Sequence, residues 1–376
     1  MASQPADGEN ADVKFGVMFQ LSTPRPWTRE SERTAINNAL EQVKLADELG
    51  FDYAWSTEHH FLEEYSHSSC PEMFLTACAM ITKRIRLGHG IVVCVPQYSS
   101  PIRIAERTAM LDILSGGRLE VGTGRSATWT ELAGMGADFE TTKQTWDEFV
   151  RVIPKMWTQE RFSYQGQFFS MPERAILPKP YQKPHPPMWV AVTSPGTEVD
   201  AAQRGLGSLG LSFGSLQMQE QVIKNYRRII KTCEPVGEFV NEHVAQVSFM
   251  FCHEDDATAL RMGDRMAANF RPLAAQFVHP PEALPTKPGL AQGLLSSLRR
   301  GEGPPPRDGS TIGDPQHIVR ELKTYESMGV DTMNLLLNVM ECVPQEEVLN
   351  SLRLFAKEVM PQFKTRAPAP AAAAAE

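Results

Sequence analysis

The chain has no long apolar run, no surplus of positive charge and few cysteines, and each shortage removes a class of protein. No stretch reaches the roughly 18 consecutive apolar residues that mark a membrane-spanning helix. The N-terminal MASQPADGENADV carries no apolar core of the kind a secretory signal needs. The formal net charge is -8 and no basic run interrupts it, which argues against nucleic acid as a partner. The six cysteines (Cys70, Cys78, Cys94, Cys233, Cys252, Cys342) are scattered, with no CxxC or CxxCH spacing. Neither a zinc site nor a haem attachment is therefore indicated, and the usage suits a reducing compartment. The expectation is a cytoplasmic protein with no membrane partner.

What is present is ordinary globular composition: 376 residues, 42% hydrophobic and 22% charged. That is enough chain to bury a large core without disulfides or metals. Residues 1–12 are small and polar and read as a disordered tail, and residues 366–376, rich in Ala and Pro, as a flexible one. Between them, residues 13–365 alternate strand-like and helical segments with no linker-like break, so one domain is expected.

Eight segments read as strands: Lys14–Gln20, Asp52–Thr57, Ile85–Val93, Arg118–Thr123, Met188–Val192, Leu209–Phe213, Val244–Cys252 and Asp331–Asn338. Helical spacing separates them, punctuated by local signals. Gly50 ends the first helix, Ser100-Pro101 opens the third as cap and first residue, and Asp314-Pro315 opens a late one the same way. Trp129–Asp138 reads as loop. Arg271–Ile312 is rich in Pro and Gly and reads as a mobile insertion, or lid, between strands seven and eight. Eight strands alternating with helices predict an α/β fold with a parallel sheet, and the count favours a closed (β/α)8 TIM barrel over an open doubly wound sheet.

In such a barrel the chemistry sits just beyond the C-terminal ends of the strands. After strand two come Glu58, His59, His60 and Phe61; after strand four, Gly124, Arg125 and Ser126; after strand five, Thr193, Ser194 and Thr197. Adjacent residues of an extended segment point to opposite sides, so one of His59 and His60 is expected to enter the barrel mouth and the other to support it. Histidine is the usual acid or base near neutral pH. Thr193–Thr197 joins a strand to a helix start, where hydroxyls and unpaired N–H groups suit a phosphate, and Arg125 fits the same anion. Plain helix capping accounts equally for Ser194 and Thr197. Gly122–Ala127 formally matches GxGxxA, but no helix follows at once, which argues against a dinucleotide fingerprint. Phe61, Tyr65, Trp129, Phe213 and Met218 are the candidate apolar lining.

At these residues the chain resembles the bacterial luciferase-like flavin-dependent monooxygenases. The resemblance rests on an ordered series: Glu58-His59-His60-Phe61, then Ser100–Arg107 with Leu111–Arg118, then Gly313-Asp314-Pro315 and Met328–Asp331. It runs from Lys14-Phe15-Gly16 to Phe355–Pro361. It implies a TIM barrel, and reduced FMN supplied by a separate NAD(P)H:flavin reductase. It also implies O2 activation as a flavin C4a-hydroperoxide that oxygenates a small organic substrate. By position His59 and His60 match the family's active-site histidines, and Arg125, Lys143, Ser194 and Thr197 its phosphate contacts. Thr193 stands where luciferase has an acidic residue and Gly124 where it has a reactive cysteine. His89-Gly90 falls where the family carries a non-prolyl cis peptide against the flavin ring. The resemblance further implies a homodimer through the helices at Pro71–Thr82 and Pro101–Ser115, whose Met73, Ala77, Ala79, Ala105, Ala109 and Ile113 are small or apolar. Two other readings stay open: a hydride-transfer enzyme using the deazaflavin F420, and a flavin-binding barrel without turnover.

Overall fold

The computed structural model describes residues 12–126, 128–194, 196–212, 215–278 and 307–363. The expected tails fall outside this range, apart from Asp12. So do Phe213 and residues 279–306 of the expected insertion.

Eight parallel strands close on themselves. The first four are β1 (Lys14–Phe19), β2 (Tyr53–Ser56), β3 (Arg86–Val93) and β4 (Leu119–Gly124). Two short strands, β5 (Phe162–Gln165) and β6 (Ser170–Arg174), then stand apart as an antiparallel hairpin. The barrel continues with β7 (Met188–Val192), β8 (Gly207–Leu211), β9 (Val244–Cys252) and, after the short β10 (Thr311–Gly313), β11 (Thr332–Leu336). Each barrel strand pairs with the next, β11 returns to β1, and pairing of β8 with β9 leaves no edge open. This is a (β/α)8 barrel. Its helices are α1 (Ser31–Leu49), α2 (Pro71–Ile81), α3 (Pro101–Leu114), the short α4 (Trp129–Met135), α5 (Thr142–Thr158), α6 (Thr197–Gln203), α7 (Leu216–Ile230), α8 (Asp256–Val278), α9 (Pro315–Ser327) and α10 (Gln345–Leu354).

The punctuation works as its chemistry requires. Ser100 accepts the Arg103 N–H at 3.3 Å in front of Pro101, and Asp314 accepts the His317 N–H at 2.8 Å in front of Pro315. Gly50 ends α1 at φ +95°, a left-handed conformation that a Cβ resists.

Inside the barrel, large rings face glycines. Trp55 and Trp189 meet edge to face at 5.5 Å. A Cβ at Gly88 would lie 2.1 Å from the Trp55 ring, and one at Gly207 2.4 Å from the Trp189 ring. The lower layer is polar: Glu120 pairs with Arg86 and accepts the Trp189 indole N–H at 2.7 Å. Outside the barrel, the main core lies between strands and helices, around Phe15, Phe51, Phe149, Trp157, Tyr226 and Phe355. Ala79, Ala105 and Ala109 are buried there, while Met73, Met80, Met110, Ile113 and Leu114 on the same two helices are exposed. The alanines therefore pack within the chain and offer nothing to a partner.

Three segments differ from expectation. Helix α4 lies inside the stretch read as loop. The β5–β6 hairpin lies where no element was expected. Stacking of Tyr164 between Phe162 and Phe169 holds it, and Glu148 accepts N–H groups of Gln167, Phe168 and Phe169. The expected insertion is also narrower than 271–312, because α8 runs through residue 278 and β10 pairs with the end of β9. Among the described residues no helix is long and apolar enough to cross a membrane.

Candidate active site

The C-terminal ends of the strands surround a cleft of about 1410 Å³, including the solvent in its mouth. Its floor is built where side chains are missing. A Cβ at Gly90 would come within 2.7 Å of the Met18 methyl, and one at Gly124 within 2.6 Å of Ile91. Met18 and Ile91 take the space that side chains at these two positions would fill, and with Val190, Leu211, Val247 and Leu336 they give the cleft apolar walls.

One end of the cleft, between β4 and β7, gathers Arg125, Lys143, Thr193, Ser194, Thr197 and Asp200. The Arg125 guanidinium is largely enclosed, and its one hydrogen bond among the described residues is a long one to Thr142 Oγ1, 3.4 Å. Burial lowers its pKa, against the opposing pull of Asp200. Lys143 Nζ lies 2.6 Å from Asp200 Oδ2. Gly196, at φ +85°, turns the chain from β7 into α6, and the Thr197 N–H donates to the Ser194 carbonyl at 3.1 Å.

His59 stands on another wall. Its Nδ1 lies 3.2 Å from Glu131 Oε1, which leaves Nε2 as the nitrogen for a ligand. Glu131 is 1% exposed and is the hub of this wall. Its carboxylate also accepts the His60 N–H at 3.0 Å, the Ser126 hydroxyl at 3.1 Å and the Thr128 hydroxyl at 2.6 Å. Burial alone would raise the Glu131 carboxyl, but the His59 imidazole, the Thr128 hydroxyl and the His60 N–H together hold it below the usual carboxylate range. Sequence reasoning missed Glu131 because it lies in the stretch read as loop. Thr128-x-x-Glu131 is nevertheless a capping-box spacing, and Thr128 does accept the Glu131 N–H.

The structure brings His59, Gly90, Gly124, Arg125, Lys143, Thr193, Ser194 and Thr197 around one cleft. It does not bring His60 or His89 to the lining. His60 Nε2 turns to Glu58 Oε1 at 3.3 Å, and its ring packs against Tyr98. His89 alternates with inward-facing Gly88 and Gly90, so its side chain points outward, is 2% exposed, and senses Glu72 of α2 and Arg107 of α3. That burial, only partly offset by Glu72, lowers its pKa to about 4. The cis peptides among the described residues all precede proline, so the His89–Gly90 bond is trans. The irregularity there is a register shift of β3 against β4 between His89 and Val92. Of the candidate apolar residues, Tyr65 lines the cleft, whereas Phe61, Trp129 and Met218 are exposed.

Strain concentrates around this mouth. Among the described residues, the non-glycine positions with positive φ are Leu21, Phe61, Glu63, Ser126, Met340 and Glu341, all in segments that follow barrel strands. Each such residue costs on the order of 1–3 kcal/mol and persists where surrounding structure over-determines it. Glu341 borders a smaller recess shared with Gln20 and Leu336. Burial raises its carboxyl to about 7, against a hydrogen bond from the Asn38 amide.

The family model described as luciferase-like monooxygenase matches residues 13–332. The oxygenase component of a flavin-dependent trigonelline monooxygenase of Acinetobacter baylyi is 26% identical over 93% of this chain and 96% of its own length. The monooxygenase RslO1 from Streptomyces bottropensis superposes with a TM-score of 0.76 at 24% identity, over 93% of this chain and all 100% of that one. The oxygenating constituent of 3,6-diketocamphane monooxygenase from Pseudomonas putida, a type II Baeyer-Villiger enzyme solved with FMN, gives 0.71 at 17% identity over 94% and 99%.

Proposed function

Because the chain belongs to the luciferase-like monooxygenase family, we propose that it is the oxygenase of a two-component system. It takes reduced FMN from a separate NAD(P)H:flavin reductase and oxygenates a small, largely apolar organic molecule with O2. The single observation that carries this reading is the cleft, which combines extended apolar walls with an enclosed arginine at one end. A planar ring with a phosphate tail is the ligand such a shape fits.

The bound reduced flavin supplies two electrons, so that one oxygen atom of O2 enters the substrate and the other leaves as water. The chain's own residues bind, orient and move protons. Arg125 and Lys143 meet the phosphate, with Thr193, Ser194 and Thr197 as neutral hydrogen-bonding groups around it. Gly90 and Gly124 leave room for Met18 and Ile91, which would supply apolar surface to the ring. His59, fixed through Nδ1 by Glu131, holds or delivers a proton at Nε2. His60 keeps Glu58 in place, and His89 contributes backbone beside Gly90 while its side chain stays in the helix layer. The walls of Met18, Leu62, Tyr65, Val247, Phe270 and Leu336 exclude water and select an apolar substrate.

The protein also forms a homodimer in this reading. The exposed Met73, Met80, Met110, Ile113 and Leu114 on α2 and α3 supply an apolar face for it. Its six cysteines are unpaired, which suits a cytoplasmic location.

An oxygen electrode tests the assignment. Substrate-dependent O2 uptake with a reductase, NADH and FMN, and ¹⁸O from O2 in the product, are the expected results. Turnover with reduced F420 in the absence of O2 would assign hydride transfer instead. Flavin binding with no product across a broad panel would leave a barrel without turnover.

A further inference from the structure

Resting on that reading of the cleft, we propose that Asp200 is a displaceable counter-ion in the phosphate end. It occupies Lys143 in the empty protein and thereby sets how tightly, and for which charge, the cofactor binds. Three cations lie near this end. Arg204 is committed: its Nε lies 2.6 Å from Asp147 Oδ1, its Nη1 3.4 Å from Asp200 Oδ1, and its guanidinium sits over the Trp146 ring at 5.1 Å. Lys143 is committed to Asp200 at 2.6 Å. Arg125 alone has no carboxylate within salt-bridge distance among the described residues, and Asp200 still acts on it electrostatically.

Of the charges that line this end of the cleft, Arg125 and Lys143 stand against Asp200, a surplus of one positive charge, while Arg204 and Arg151 both pair with Asp147 behind it. A phosphate dianion is not matched by that surplus. To bind it, the site draws Lys143 away from Asp200, and Asp200 then faces the incoming anion with only Arg204 beside it. The Lys143 side chain is half exposed and can turn into solvent or the cleft, whereas Asp200 and Arg204 are 15% and 12% exposed and bonded to each other. The lysine therefore changes partner while the carboxylate stays. A carboxylate in an anion site weakens affinity, and a reduced cofactor that arrives from another protein and leaves oxidised each cycle needs that modest affinity.

Asp200→Asn tests this, because the amide keeps the shape and an acceptor for Arg204 while removing the charge. Anaerobic calorimetry with reduced FMN and reduced riboflavin reads binding without turnover. Asp200→Asn is expected to bind reduced FMN about ten-fold more tightly at low salt, with the gain shrinking as ionic strength rises and riboflavin unchanged. A double-mutant cycle adds a second readout: Lys143→Gln costs more FMN affinity when combined with Asp200→Asn than it does alone. Equal or weaker FMN binding by Asp200→Asn, with Lys143→Gln costing less in that background, would show that Asp200 positions Lys143 rather than competing with the phosphate; strictly additive effects would show that the two act independently, and either result overturns the proposal. If the native protein binds neither flavin, the flavin reading itself falls and this inference with it.

Discussion

Removing the Glu131 carboxylate perturbs the site at its hub. The native carboxylate serves four donors: His59 Nδ1, the His60 N–H and the hydroxyls of Ser126 and Thr128. Glu131→Ala leaves these groups without their acceptor on the wall of the cleft. A broken buried charged pair costs about 3–5 kcal/mol. Glu131→Gln keeps the shape. Its carbonyl takes the place of Oε1 toward His59 and the His60 N–H, and its NH2 donates to the two hydroxyls, which rotate to accept. The expected cost is that of one weakened charge-assisted hydrogen bond, about 1–2 kcal/mol. Urea unfolding followed by tryptophan fluorescence separates the two cases. The pH dependence has a definite sign. A carboxyl held below its ordinary value contributes stability that is complete above the carboxylate range and is lost as pH falls through the folded value. The gap between native protein and Glu131→Gln therefore narrows on acidification. Function adds a readout that mere destabilisation does not move: Glu131→Gln is expected to fold and bind flavin yet release more hydrogen peroxide per NADH consumed. Equal destabilisation by Ala and Gln, with unchanged peroxide release, would refute the reading of Glu131 as the group that sets His59.

Other parts of the molecule give three more expected outcomes. Gly124→Val places methyl groups against Ile91, where a Cβ alone already comes within 2.6 Å; calorimetry should show flavin affinity falling at least about ten-fold while the melting temperature stays within a few degrees. The Glu341 carboxyl is raised from 4.5 to about 7, a difference of about 2.5, so the native protein loses stability as pH rises through that window. Denaturant titrations should therefore show Glu341→Gln gaining up to about 3 kcal/mol over the native protein between about pH 5 and pH 8, and a gap constant with pH would remove the claim. Met73→Asp combined with Met110→Asp should convert a dimer to a monomer in sedimentation with flavin binding retained; an unchanged dimer would place the interface elsewhere.

The barrel was legible because each of its strands is a short apolar run bounded by chemistry with one structural outcome. Ser100-Pro101 and Asp314-Pro315 cap helices through local hydrogen bonds, and Gly50 stops one. The gathering of Arg125, Ser194 and Thr197 around one cleft was legible for a related reason: all follow strand ends, and strand ends in a closed parallel barrel all face one way. Side was legible where alternation rules: one of His59 and His60 was expected in the mouth and the other in support, and His59 lines the cleft. His89 is in the expected strand, but the alternation of Gly88, His89 and Gly90 turns the imidazole outward and only backbone inward. His60 is beside His59 but faces Glu58. Glu131 and Asp200 escaped notice because the partners that tie them to the cleft, His59 and Lys143, are distant in sequence. Glu131 meets His59 across 72 residues, and no local pattern carries such a contact. The β5–β6 hairpin was missed because its stability comes from Tyr164 stacking and from Glu148 on a different element.

The most direct test of the account is an anaerobic titration of native protein and Arg125→Ala with reduced FMN and reduced riboflavin. A charge-assisted contact to phosphate is worth about 1.5–3 kcal/mol, or roughly ten- to a hundred-fold in affinity. The account predicts that the native protein prefers FMN, and that Arg125→Ala loses that much FMN affinity while its riboflavin affinity changes little. Equal losses for the two flavins, or no preference for FMN in the native protein, would contradict the placement of a flavin phosphate at Arg125.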